Sequence, residues 1–150
     1  MKVAILWLVN EKGEILMARR AAHMDTDAGV WGPSVSGKVD TTESFEEAVL
    51  REAHEELGLA PTDISPVFLH NELYTEHTDG QRRDFGLYYA TVPSDIISRL
   101  KLEPNEVSEV KWFKQSDLRK LADQKSESLI ISSATELWRR IFAHLQPLAS

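Results

Sequence analysis

The chain contains no cysteine, which excludes disulfide bonds, thiolate nucleophiles, thiolate zinc sites and iron–sulfur clusters together. Any metal it binds must be held by oxygen or imidazole, and a reducing compartment, the cytoplasm, is the expected location. No apolar run approaches the roughly 18 residues a membrane-spanning helix needs. Met1 to Val9 is apolar after Lys2 but stops at Asn10-Glu11 with no small-residue cleavage site, so it reads as a strand rather than a secretory signal. Seven glycines and six prolines are too few for a collagen-like or low-complexity chain. Positive charge is also short: 17 basic against 24 acidic residues leave a net charge of -7, which disfavours long nucleic acids, because their affinity comes mainly from Lys and Arg on phosphate. A small anionic ligand stays open. With 150 residues and 42% hydrophobic content, the chain is expected to form one soluble domain over 1–150.

Two β-rich runs, Val3 to Val9 and Ile15 to Arg20, flank Asn10-Glu11-Lys12-Gly13-Glu14 and predict two strands joined by a glycine turn. Ala21 to Gly29 is polar, and Val30 to Gly37 is punctuated by Gly and Pro, which predicts a loop entering a short strand. Ser44 to Leu57 predicts a helix, with Thr41, Thr42 or Ser44 as N-cap and Gly58 in a left-handed C-cap. Downstream, Val67 to Thr75 and Phe85 to Val92 read as strands around Thr78-Asp79-Gly80. Val107 to Phe113 is a further strand, and Gln115 to Ala122 and Ser133 to Leu145 read as helices. The pattern is α+β or α/β.

The acids are concentrated in one place, since Glu43, Glu46, Glu47, Glu52, Glu55 and Glu56 fall within fourteen residues countered only by Arg51. At 100° per residue, Glu52, Glu55 and Glu56 lie within about 100° of one another on one helix face. Like charges at i, i+3 and i+4 repel, so the arrangement is unfavourable unless cations sit there, and hard divalent ions such as Mg²⁺ or Mn²⁺ want this kind of oxygen cluster. Arg51 is placed to fix a neighbouring carboxylate such as Glu47 or Glu55. His54 lies opposite that face and reads as a surface residue. The other histidines, His23, His70, His77 and His144, show no ligand spacing.

Gly37, five residues, Glu43, seven residues and Arg51-Glu52-Ala53-His54-Glu55-Glu56-Leu57-Gly58-Leu59 resemble the Nudix box. Chance matching is on the order of 10⁻⁸ per start position when each fixed letter has a background of roughly 5 to 10%. Two positions depart from the family pattern: Ala53 stands where a larger aliphatic residue is preferred, and Thr42 where a Gly often precedes the Glu. The resemblance implies an α/β/α sandwich around a mixed β-sheet, with the box as loop, helix, loop. It also implies a hydrolase that cleaves a diphosphate linkage in a nucleoside diphosphate derivative or related small molecule, using Mg²⁺ or Mn²⁺. Glu52, Glu55 and Glu56 would be the metal and base carboxylates, with Glu43 and Arg51 orienting them, and the loop carrying Ser36 and Gly37 would present backbone groups to metal or phosphate. Arg20, Lys38 and Arg83 are candidate cations for substrate phosphate. A fourth carboxylate often completes the family's site, and Glu72, Glu76, Asp79 and Asp84 are the candidates. A homodimer is common in the family, and no residue here specifies one.

Arg19-Arg20-Ala21, Gly29-Val30-Trp31, Ser34 to Lys38 and Glu106-Val107 through Trp112 also resemble the isopentenyl-diphosphate isomerase branch of the superfamily. That branch has a catalytic cysteine at the position of Ser36 and a metal-binding histidine at that of Lys38. Serine is a poorer acid–base group than a thiol, and a protonated lysine cannot ligate, so hydrolysis is expected over isomerisation, while the intact carboxylates of the box weigh against a purely ligand-binding role.

Overall fold

A computed structural model describes residues 1–24, 28–75 and 80–123. The apolar run at the start forms β1 (Lys2–Val9), and after a tight turn β2 (Ile15–Arg20) returns beside it. Asn10 organises that turn: its side-chain oxygen accepts the N–H groups of Lys12 (2.9 Å) and Glu14 (3.0 Å), and Gly13 takes the positive φ of 77°. Short strands β3 (Trp31–Gly32) and β4 (Val35–Lys38) follow, then helix α1 (Phe45–Leu57). Strands β5 (Val67–Thr75), β6 (Arg82–Thr91) and β7 (Val107–Phe113) and helix α2 (Gln115–Asp123) complete the described elements. The expected Thr78-Asp79 turn and Ser133 to Leu145 helix lie outside the described residues.

The seven strands form one mixed sheet in the order β3-β2-β1-β6-β5, with β4 added to β1 and β7 to β2. β1 runs parallel to β6 along its whole length and antiparallel to its other neighbours. On that other side β1 divides its partners, pairing Val3 to Leu6 with β4 and Leu8 and Val9 with β2. Ser34 sits at the fork, fully buried, its hydroxyl accepting the Leu8 N–H (2.8 Å) and donating to the Leu16 carbonyl (2.6 Å). A side chain thereby satisfies two backbone groups that the diverging strands cannot offer each other. The hydroxyl is committed to the sheet rather than to chemistry.

β1 is apolar throughout because both faces of the sheet are covered. Val3, Ile5, Trp7 and Val9 join Ile15, Met17, Phe85 and Leu87 on one face, where Leu118 of α2 packs. Ala4, Leu6 and Leu8 join Leu16, Val35 and Tyr88 on the other, against Ala48, Val49, Ala53 and Leu57 of α1. The adjacent tyrosines Tyr88 and Tyr89 accordingly pack into opposite layers. Ala53 is fully buried, so the small residue lets α1 lie close to the sheet. Gly86 acts likewise from the strand side, since a Cβ there would fall on the Phe45 ring. The expected α/β/α sandwich around a mixed sheet is thus observed, with α1 on one face and α2 on the other among the described residues.

Candidate active site

The site is built at one end of α1. Ser44 begins the helix with a capping box, its Oγ accepting the Glu47 N–H (3.1 Å) and the Glu47 carboxylate accepting the Ser44 N–H (2.9 Å). Glu47 is therefore used in the cap and not by Arg51, contrary to one of the two partners expected for that arginine. At the other end Gly58 adopts φ 72°, and the N–H groups of Gly58 and Leu59 return to the carbonyls of His54 and Ala53.

Arg51 gathers the loop before the helix and the acids upon it. Its Nε and Nη2 grip both oxygens of Glu43 (3.0 and 2.6 Å), its Nη1 reaches Glu52 (2.8 Å) and Glu55 (3.2 Å), and its Nη2 also donates to the Lys38 carbonyl (2.9 Å). The two-point grip holds the Glu43 carboxyl down at about 2, helped by a hydrogen bond from the Asp40 backbone, and raises the guanidinium above its ordinary range. Glu43 also accepts the Asp40 N–H (2.9 Å), so the loop between β4 and α1 is fastened to the helix.

Glu56 is the unusual acid. It is only 6% exposed, and one of its carboxyl oxygens, Oε2, has no hydrogen-bond partner. Burial pushes its pKa far above the usual carboxylate range, with Glu52 adding to the effect through a hydrogen bond and its charge. Oxygens of Glu52, Glu56 and Glu106 lie within 4.8 Å of one another, and Glu106 is also pushed up, first by burial and then by the charges of Glu52 and Glu55. Gly37 closes this arrangement from β4: a Cβ there would fall on the Glu52 carboxyl carbon. Beside Glu56 and Glu106 opens a cleft lined by Ala18, Arg19, Arg20, Met24, Gly32, Pro33, Ser36, Glu56, Glu106 and Val107.

A group of three carboxylates so close, one of them buried with a bare oxygen, is unstable as three anions in a low-dielectric setting. All the ligand atoms are hard oxygens, so the donor set fits a divalent cation of the Mg²⁺ or Mn²⁺ type.

Comparison with known proteins agrees with this chemistry. The family model for the NUDIX domain matches residues 1–132. The chain belongs to that family. It is 28% identical over 137 residues to an isopentenyl-diphosphate Delta-isomerase of Salmonella paratyphi B, an alignment covering 91% of this chain and 64% of the relative. This NUDIX chain therefore spans just under two thirds of the length of that relative. Among solved structures, the MutT protein of Methanosarcina mazei Go1 superposes with a TM-score of 0.73 at 26% identity, covering 96% of this chain and 94% of that one. The NUDIX domain of Shewanella oneidensis NrtR, solved with ADP ribose, superposes with a TM-score of 0.71 at 19% identity, covering 97% and 88%.

Within the NUDIX fold the residues singled out by sequence are distributed unevenly. Glu52 and Glu56 meet at the cluster, and Ser36 and Arg20 line the cleft. Glu55 stays outside the cluster, its side chain 54% exposed on the Arg51 guanidinium. The Lys38 side chain is exposed, and its backbone rather than its ammonium serves Arg51. Arg83 sits on β6 in register with Tyr74 and is not among the residues lining the cleft. Trp31, on β3, packs edge-on against Phe113 with ring centroids 5.2 Å apart.

Of the four candidates for an additional carboxylate, only Asp84 has a described side chain. Asp84 accepts a hydrogen bond from Asn71 (2.6 Å) on the β5–β6 pair, and Glu76 and Asp79 lie outside the described residues. Among the described residues the carboxylate beside Glu52 and Glu56 is Glu106. The pairing of β7 with β2 and the backbone bond from Glu103 to Glu56 bring residue 106 to the site from far along the chain, so local sequence carried no direct sign of it. The one available signal was Glu106-Val107 at the start of an alternating strand.

Proposed function

We propose that this chain is a metal-dependent pyrophosphohydrolase that cleaves a diphosphate linkage in a nucleoside diphosphate derivative or a related small molecule. The observation that carries the reading is the buried Glu56, with a bare carboxyl oxygen beside Glu52 and Glu106. These three residues would hold Mg²⁺ or Mn²⁺, with Glu55 at the solvent edge of the same set. Such an ion, when bound, neutralises diphosphate charge and makes water acidic enough to be a nucleophile near neutral pH. Arg51, locked on Glu43, keeps Glu52 oriented and cannot itself give up a proton. Arg20 faces the cleft and would take a phosphate oxygen of the substrate, with Lys38 and Arg83 as outer cations. In the reaction the water oxygen forms a bond to phosphorus, the bridging P–O bond breaks toward the leaving phosphate, and the water proton passes to a carboxylate of this set. The ADP ribose held by the NrtR domain is one diphosphate of the class.

A second reading, isomerase action on a prenyl diphosphate, is favoured by the isomerase relative, and Ser36 and Lys38 argue against it. One experiment separates them. Phosphate and pyrophosphate release is measured with and without Mg²⁺ or Mn²⁺ from nucleoside triphosphates, nucleotide sugars, dinucleotides and isopentenyl diphosphate, with Glu56→Gln in parallel. Metal-dependent release lost in the variant supports hydrolysis. Isomerised product with an intact diphosphate overturns it.

A further inference from the structure

Glu103-Pro104-Asn105-Glu106 precedes β7 and forms a reverse turn in which the Glu103 carbonyl accepts the N–H groups of Glu106 (3.0 Å) and Val107 (2.9 Å). Proline at the second position pre-sets the backbone angle such a turn requires. The Glu103 side chain tightens it, Oε1 accepting the Asn105 N–H at 3.1 Å. The turn is also stitched at both ends. Its first residue donates to the Glu56 carbonyl (3.0 Å), two residues after Lys101 donates to that of Leu57 (2.9 Å). Its last residue accepts the Ala21 N–H at 2.9 Å. One short segment thus spans from the helix bearing Glu52 and Glu56 to the end of the strand bearing Arg20.

These bonds oppose a definite force. Glu106 lies on a turn, where the charges of Glu52, Glu55 and Glu103 act against its carboxylate and that of Arg20 acts in its favour. A carboxylate kept within 4.8 Å of two others needs a backbone that cannot yield.

We propose that Glu103 is a positioning residue, which through its backbone bond to Glu56 and its side-chain bond to Asn105 sets the turn that delivers the Glu106 carboxylate to Glu52 and Glu56. This rests on the reading of those three acids as a divalent-cation site. Glu103 touches neither ion nor substrate in this role.

The test is a Mn²⁺ titration followed by electron paramagnetic resonance of the free ion, without substrate, on the wild type, Glu103→Ala, Glu103→Gln, Glu106→Gln and the Glu103→Ala/Glu106→Gln double variant. Circular dichroism melting accompanies each. Glu103→Ala should weaken Mn²⁺ binding about 10-fold. Glu103→Gln should recover most of that loss, because its amide oxygen still accepts the Asn105 N–H. The double variant should bind no more weakly than Glu106→Gln alone, since a turn that delivers nothing has nothing to position. Pro104→Gly, which loosens the turn and leaves every side-chain acceptor in place, should weaken binding in the same direction. The proposal is overturned if Glu103→Ala binds like the wild type, if Gln is as poor as Ala, or if the double variant shows additive losses. Should Glu106→Gln bind Mn²⁺ as tightly as the wild type, the cation-site reading itself falls and takes this one with it, a result distinct from failure at Glu103 alone.

Discussion

At Gly37 the absence of one carbon atom decides where a carboxylate stands, because a Cβ would overlap the Glu52 carboxyl group. Gly37→Ala should therefore displace Glu52 and leave the sheet intact. Mn²⁺ affinity is expected to fall about 10-fold with an unchanged far-ultraviolet dichroism spectrum, and equal affinity would show that Glu52 has room to spare. Glu56 poses the opposite problem, a charge the fold would rather not bury. Glu56→Gln keeps the shape and removes that charge. In metal-free protein at pH 8 its Tm should rise, by about 2–4 °C for each kcal/mol recovered, while metal-dependent turnover disappears. A Tm below that of the wild type would mean that Glu56 serves packing more than the ion.

Among the elements, the fork in β1 and the loop before α1 carry the most consequence. Removing the Ser34 hydroxyl leaves the Leu8 N–H and the Leu16 carbonyl unpaired in a dry interior, so Ser34→Ala should cost about 1–3 kcal/mol in urea unfolding. A loss well below that range would point to water filling the gap. The loop depends instead on Arg51 and Glu43. The folded Glu43 carboxyl titrates near 2 against an ordinary value of 4.5, so below the ordinary value the unfolded chain binds more protons than the folded one. The stability this pair contributes is present above about pH 4.5 and fades as the pH falls toward 2. Urea midpoints of the wild type and Glu43→Gln should converge between pH 4.5 and pH 2, and parallel profiles would sink the assignment.

For the whole molecule the cleft is a junction. α1 contributes Glu52 and Glu56, β4 contributes Ser36 and Gly37, the end of β2 contributes Arg20, and the turn before β7 contributes Glu106. An ion bound there ties a helix to several strands and binds only the folded state. Mg²⁺ or Mn²⁺ at about 100 times its Kd should stabilise the wild type by about 2.7 kcal/mol and raise its Tm accordingly, with no such rise in Glu56→Gln. A metal-independent Tm in the wild type would contradict the proposed site.

Much of this was legible in the residues. Short β-rich runs gave the strands, the Ser44 and Gly58 caps gave α1, and the spacing of acids along a single helix placed Glu52 and Glu56 on one face, because all of these are set by neighbours within a turn or two. Tertiary structure decided what depends on distant pairing. Whether Arg51 would take Glu47 or Glu55 turned on the fold, since the capping box had already taken Glu47 and the guanidinium reaches Glu55 together with Glu52 and Glu43. The extra carboxylate turned on β7 joining β2, a contact about 90 residues apart that no local pattern encodes. The buried, bare oxygen of Glu56 is likewise a property of the packed molecule, because desolvation appears only when the sheet, the helix and the turn before β7 close around that side chain.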